Sequence, residues 1–134
     1  MIKPYLMFNR QCDEAFHLYK QAFAGEFVSF QKYGDMPLNP DFPVAEGDKD
    51  LVLHAELKLG EAGTIFGSDG KRATEGPGIV GISVELDCET LARSAWDVLK
   101  ADGTAKMELQ PTFFAKLHGS ITDKFGVSWI FTVN

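Results

Sequence analysis

Two stretches of the chain carry the same apolar stripe. Ala15, Phe16, Tyr19, Ala22 and Phe23 form one; Leu91, Ala92, Ala95, Val98 and Leu99 form the other, displaced by 76 residues. Both follow the i, i+1, i+4, i+7, i+8 spacing that lines one face of a helix. A Cys-acid pair, Cys12-Asp13 and Cys88-Glu89, precedes each at the same displacement. Short alternating or apolar runs surround the helices. They are Tyr5 to Phe8, Phe27 to Tyr33, Leu51 to Leu59 and Thr64 to Phe66, then Ile79 to Leu86, Thr104 to Leu109, Leu117 to Thr122 and Val127 to Val133. Such runs read as strands, so the pattern predicts βαβββ twice, an α+β chain built from two copies of one module.

The last hairpins align at Gly63 and Gly126, an offset of 63 instead of 76, and the missing 13 residues correspond closely to one segment, Gly34 to Gly47. The first module therefore carries a long loop that the second lacks. Pro37, Pro40 and Pro43 keep this loop extended and out of any ladder, while Met36, Leu38, Phe42 and Val44 give it apolar contacts. A loop of that length is expected to be functional or mobile and to border a cavity as a lid, or to reach another subunit as an arm. The chain reads as one domain, 1–134, with module one at about 1–69, a Gly- and Pro-bearing linker at about 70–77 and module two at about 78–134. Asn9 or Gln11 opens the first helix and Asp87 caps the second, with Gly25 and Gly103 just past their ends.

Alternation sorts side chains by face. Leu53, Ala55, Leu57 and Leu59 suit a face covered by helices, opposite Val52, His54, Glu56 and Lys58. Ile82, Val84 and Leu86 oppose Gly81, Ser83 and Glu85. Lys116, His118, Ser120 and Thr122 share a face, opposite Leu117, Gly119 and Ile121. The polar faces either meet water or, if the sheet curls, line a cavity.

Composition narrows the class. With 134 residues, 45% hydrophobic and 24% charged, the chain is an ordinary globular one. A net charge of −6 argues against nucleic acid as partner. No apolar run approaches the roughly 20 residues of a membrane span, and the opening Met-Ile-Lys-Pro-Tyr has no secretory layout, which predicts a cytoplasmic protein. Cys12 and Cys88 are then reduced, partly buried thiols, or a thiolate held by a helix dipole.

Phe8-Asn-Arg-Gln-Cys-Asp-Glu-Ala-Phe-His-Leu-Tyr-Lys-Gln-Ala-Phe23, His54-Ala-Glu-Leu-Lys-Leu-Gly60, Gly67-Ser-Asp69 and Thr122-Asp-Lys-Phe-Gly-Val-Ser-Trp129 resemble, in order and spacing, the PhnB-like branch of the vicinal oxygen chelate superfamily. That superfamily includes glyoxalases, bleomycin-resistance proteins and extradiol dioxygenases. The resemblance implies the glyoxalase-like fold, a curled mixed sheet of paired βαβββ modules with cavities, and a homodimer. Some proteins of this branch are labelled 3-demethylubiquinone methyltransferases, but no glycine-rich loop follows the first strand here to hold S-adenosylmethionine. The superfamily's metal ligands sit on the first and last strands of each module. The matching positions here, to within a residue, are Pro4, Val80, Gly67 and Ile130, and their neighbours Met7, Gly81, Ser68 and Trp129 supply no ligand set either. The expectation is therefore no metal and no cofactor.

His54, Glu56 and His118 are left as residues able to carry chemistry. His54 and Glu56, two apart on one strand face, form a candidate acid–base pair; as metal ligands they need His118 as a third. His118, Ser68, Phe113 and Trp129 are candidates for the wall of a ligand cavity. Of the aromatics, Phe113, Phe114, Trp129 and Phe131 are expected mainly in the core, with one or two available as an apolar floor. Three functions fit: capture of a small apolar or aromatic molecule without the superfamily metal, an acid–base enzyme using His54 and Glu56 on a small oxygenated substrate, or a dimeric protein-interaction domain with collapsed cavities. Cavity volume separates the third from the others.

Overall fold

The order of elements repeats across the two halves of the chain, as the stripes require. The structure, a computed structural model, describes residues 3–41, 43–70 and 80–134. The first half runs β1 (Tyr5–Phe8), α1 (Cys12–Phe23), β2 (Glu26–Lys32), β3 (Val52–Lys58) and β4 (Thr64–Asp69); the second runs β5 (Ile82–Leu86), α2 (Glu89–Lys100), β6 (Thr104–Gln110), β7 (Leu117–Thr122) and β8 (Ser128–Val133). Each half forms a four-stranded mixed sheet, ordered β1-β4-β3-β2 and β5-β8-β7-β6, in which the first strand is parallel to the last. This is βαβββ twice. Phe42, Ile79 and most of the expected linker (71–77) lie outside the described residues.

Both helices bury their stripes against one face of the sheets. All five stripe residues of α1 are buried, with Cys12; on α2 the buried set is Ala92, Ala95, Trp96 and Leu99. Tyr19 and Phe23 of α1 reach the second sheet, with ring centroids 5.0 Å and 5.4 Å from Trp129, and Trp96 stands at 90° to Phe131. Trp129 and Phe131 are fully buried, whereas Phe113 is fully exposed and Phe114 half exposed, which removes that second pair from the expected core.

The helix ends differ in detail from the sequence reading. Gln11 occupies the N-cap of α1 without a side-chain bond, and the Asp69 carboxylate takes the Cys12 N–H instead, at 3.0 Å. Cys88, not Asp87, is the N-cap of α2, its Sγ accepting from the Leu91 N–H at 3.5 Å. Ala24 adopts the left-handed conformation at the end of α1. Gly25 follows because an added Cβ would stand 2.8 Å from the Lys58 carbonyl oxygen.

A second buried carboxylate ties the halves together. Asp123 Oδ2 accepts from the Tyr19 hydroxyl at 2.7 Å and Trp129 Nε1 at 3.0 Å, and its Oδ1 from the N–H groups of Phe125 and Val127. Burial, then the Asp123 charge, pushes the Tyr19 phenol well above its ordinary range.

Two face assignments are corrected. Ala55 and Leu57 are buried beneath α1 as alternation predicts, but Leu53 is half-buried and Val52 fully buried. The pairing skips a residue there, Gln31 lying opposite His54 and Lys32 opposite Val52, so Leu53 is the extra residue of a bulge. An extra residue shifts the alternation locally. Gly67 faces α1, where an added Cβ would lie 2.6 Å from the Phe16 ring, so Phe66 and Ser68, not Gly67, flank it on the open face. Trp129 likewise points under the helices and Ile130 away from them.

Candidate functional site

The longest connection in the fold, between β2 and β3, roofs a cavity of about 980 Å³. Its floor comes from Tyr33, Leu51 and Leu53, its roof from Met36, Pro37, Leu38, Pro43 and Val44, and one wall from Asn9 and Arg10 of the β1–α1 connection. The bulge is what turns Leu53 into this floor. Pro37 and Pro43 deny the roof ladder donors, and residues 36–41 and 43–45 carry no strand or helix. Short 3₁₀ turns, Tyr33–Asp35 and Glu46–Asp48, close its two ends. At the neck the Tyr33 N–H donates to the Leu51 carbonyl at 3.0 Å and the Gly34 N–H to that of Lys49 at 2.9 Å.

Several polar groups of the cavity are engaged. Asp69, at the end of β4, accepts from the N–H groups of Cys12 and Val52 and is buried. The Tyr33 hydroxyl donates to the Asp69 carbonyl at 3.0 Å, and burial, then the Asp69 charge, raises its pKa. Arg10 donates to Asp48 Oδ1 at 2.8 Å and to the Gly47 carbonyl at 3.1 Å. Cys12, beneath the wall, is no nucleophile: burial first, then Asp69 and Asp13, push its thiol far up, away from the thiolate that reactivity needs. What the cavity offers is largely apolar surface with a few polar groups at its edge, which suits binding more than proton transfer.

None of the candidate site residues His54, Glu56, His118, Ser68, Phe113 and Trp129 lines this cavity. His54 and Glu56 lie on the open face of the first sheet. The His54 ring packs 6.0 Å from Tyr5 and 5.3 Å from Phe66, while Glu56 accepts from Lys3 Nζ at 3.4 Å. The Ser68 hydroxyl is directed to the Met7 sulfur at 3.4 Å. His118 belongs to the other sheet, its Nδ1 3.1 Å from the Thr132 hydroxyl and its ring 4.9 Å from Phe114. Phe113 stands free on the β6–β7 connection and Trp129 is in the core. Sequence reasoning found the roof and missed Arg10, Tyr33, Leu51 and Leu53. The one signal available was that the last three flank the Pro-rich segment.

The donor set on the open faces does not fit a divalent metal. Pro4 lies just before β1 and Gly67 has no side chain, Tyr5, Met7, Phe66 and Ser68 occupy the open face of β1 and β4, and no three His, Cys, Asp or Glu side chains converge among the described residues. No helix among these residues is long and apolar enough to cross a membrane.

Comparison with known proteins agrees with the architecture. The family model described as 3-demethylubiquinone-9 3-methyltransferase matches residues 1–132. Protein YjdN of Escherichia coli K12 is 29% identical over 140 residues, covering 98% of this chain and 94% of its own. The crystal structure of protein PA1353 from Pseudomonas aeruginosa is 34% identical, with a TM-score of 0.85 over 100% of this chain and 97% of that one. A PhnB protein from Bacillus cereus, titled a putative 3-demethylubiquinone-9 3-methyltransferase, is 25% identical with a TM-score of 0.76 over 99% and 98%. The repeated βαβββ fold and these full-length matches place the chain in the 3-demethylubiquinone-9 3-methyltransferase family, alongside the PhnB protein it resembles.

Proposed function

We infer that this chain binds a small apolar or aromatic molecule in the cavity under the β2–β3 connection, without the usual superfamily metal. The cavity itself carries the reading: about 980 Å³ with a largely aliphatic floor and roof, at the upper end of the roughly 300–1,000 Å³ typical of small-molecule sites. A collapsed interaction domain would have no such space. The acid–base reading is weaker, because Glu56 is engaged by Lys3 and His54 by aromatic rings. Methyl transfer, which the family description names, has no support in the Asn9-Arg10-Gln11 connection, which carries no glycine for a nucleotide-like cofactor. N-phenyl-1-naphthylamine, which fluoresces in apolar surroundings, heads a panel of uncharged aromatic compounds that tests the reading by titration and thermal shift. Micromolar binding with a raised melting temperature is expected. A panel with no binder below 1 mM overturns it. Elemental analysis of the same preparation is expected to give well under one transition metal per chain, and one per chain refutes the metal-free part.

The open faces support a homodimer. Tyr5 and Met7 on the first sheet, and Val80 and Phe114 by the second, are each about half exposed or more, and apolar groups so placed gain by being covered. In the dimer His54, Glu56, Ser68 and His118 would face the partner copy or a ligand held between the copies. Sedimentation at 10 µM is expected to give the dimer mass; a monomer refutes it.

A further inference from the structure

We propose that Arg10 is the latch of the cavity roof, and that its release widens the path by which ligand exchanges with solvent. The argument begins with backbone conformation. Arg10 has φ +66°, in the left-handed region that glycine enters freely and a residue with a Cβ resists. A strained residue persists where its surroundings hold it in place, and here the side chain does so. One guanidinium nitrogen donates to Asp48 Oδ1 at 2.8 Å and another to the Gly47 carbonyl at 3.1 Å. Both acceptors lie at the end of the roof, while Arg10 lies on the wall. Among the described residues the only other side-chain tie between segment 36–48 and the rest of the chain is the Glu46–Lys49 ion pair at 2.7 Å, three residues apart along the chain and local to the segment's own end. The other ties are the backbone bonds of the neck at Tyr33, Gly34 and Leu51. A segment fixed at its neck and at one lateral point is a flap with a hinge and a catch. Arginine suits the catch because its planar fork reaches two acceptors at once, which lysine cannot do with the same geometry.

The proposal deepens the ligand-binding reading, and its kinetic arm rests on that reading. Arg10→Ala, Arg10→Gly and Arg10→Lys are compared with the natural chain by amide exchange over 36–48 and by stopped-flow mixing with N-phenyl-1-naphthylamine. A partly exposed, two-pronged ion pair is modest, so its loss is expected to raise roof exchange roughly fivefold. Association and dissociation rates should both rise, since a looser roof eases entry and exit alike. Arg10→Gly relaxes the backbone, so it should open the roof without lowering the melting temperature, and Arg10→Lys should fall between. Unchanged exchange over 36–48 in both Arg10→Ala and Arg10→Gly overturns the latch, as does a Kd that weakens at constant association rate, which would make Arg10 a ligand contact. If the probe does not bind the natural chain, the ligand-binding reading loses its first test, and the exchange measurement on the free protein still decides the latch.

Discussion

Asp123→Ala is expected to cost about 3–5 kcal/mol of folding stability, measured by urea unfolding. The carboxylate accepts four hydrogen bonds, from the Tyr19 hydroxyl, the Trp129 indole and two backbone N–H groups of the β7–β8 turn. Asp123, Tyr19 and Trp129 are all buried, so water cannot replace the lost acceptor without opening the seam between α1 and β8. Removing one donor alone, as in Tyr19→Phe, should cost only about 1–2 kcal/mol, because three partners keep the carboxylate satisfied. A loss below about 1 kcal/mol for Asp123→Ala would show that the network contributes little and that aromatic packing alone holds the seam.

Leu53→Arg is expected to weaken binding of N-phenyl-1-naphthylamine by about 100-fold, roughly 2.7 kcal/mol. The substitution places a cation in an aliphatic floor, so a ligand must either displace it toward solvent or leave it desolvated. Stability should fall by no more than about 1 kcal/mol, since Leu53 is half-buried and belongs to the cavity rather than to the core, and the long side chain can reach water through the cavity mouth. An unchanged affinity in a folded variant would move the ligand elsewhere, with the aromatic face of Tyr5, His54 and Phe66 the next place to look.

The sequence made the helices plain because a stripe five positions long, written twice, has one solution. The order of elements followed from the repeat. Facing was harder, since strand periodicity is two and a single extra or missing residue inverts everything beyond it. Leu53 shows the effect: its bulge is invisible in the run Leu51 to Leu59, and it moved the residue from core to cavity floor. The hairpin offset of 63 is one residue too large for the strands that follow: Leu6 pairs with Gly67 and Ile82 with Trp129, so Gly67 matches Trp129 under the helices and not Ile130 on the other face. Arg10 was beyond reach for a different reason. Its partners Gly47 and Asp48 lie 37 and 38 residues away, and nothing local marks an arginine for the left-handed region. Asp69 and Asp123 read as strand-end and turn residues, and their role as buried acceptors depends on which helix lies above them.

The roof is built almost independently of the fold beneath it. Among its described residues, segment 34–50 contributes none to the buried core and none to the partly buried apolar residues packed against it. Substitutions there change what fills the cavity while leaving the unfolding equilibrium near its present value. A chain arranged this way is evolvable in a particular sense: its appetite for ligands can drift at the loop while the duplicated modules stay fixed. Relatives that share the paired sheets need not share a ligand, and the loop, more than the strands, is where their chemistry should be compared.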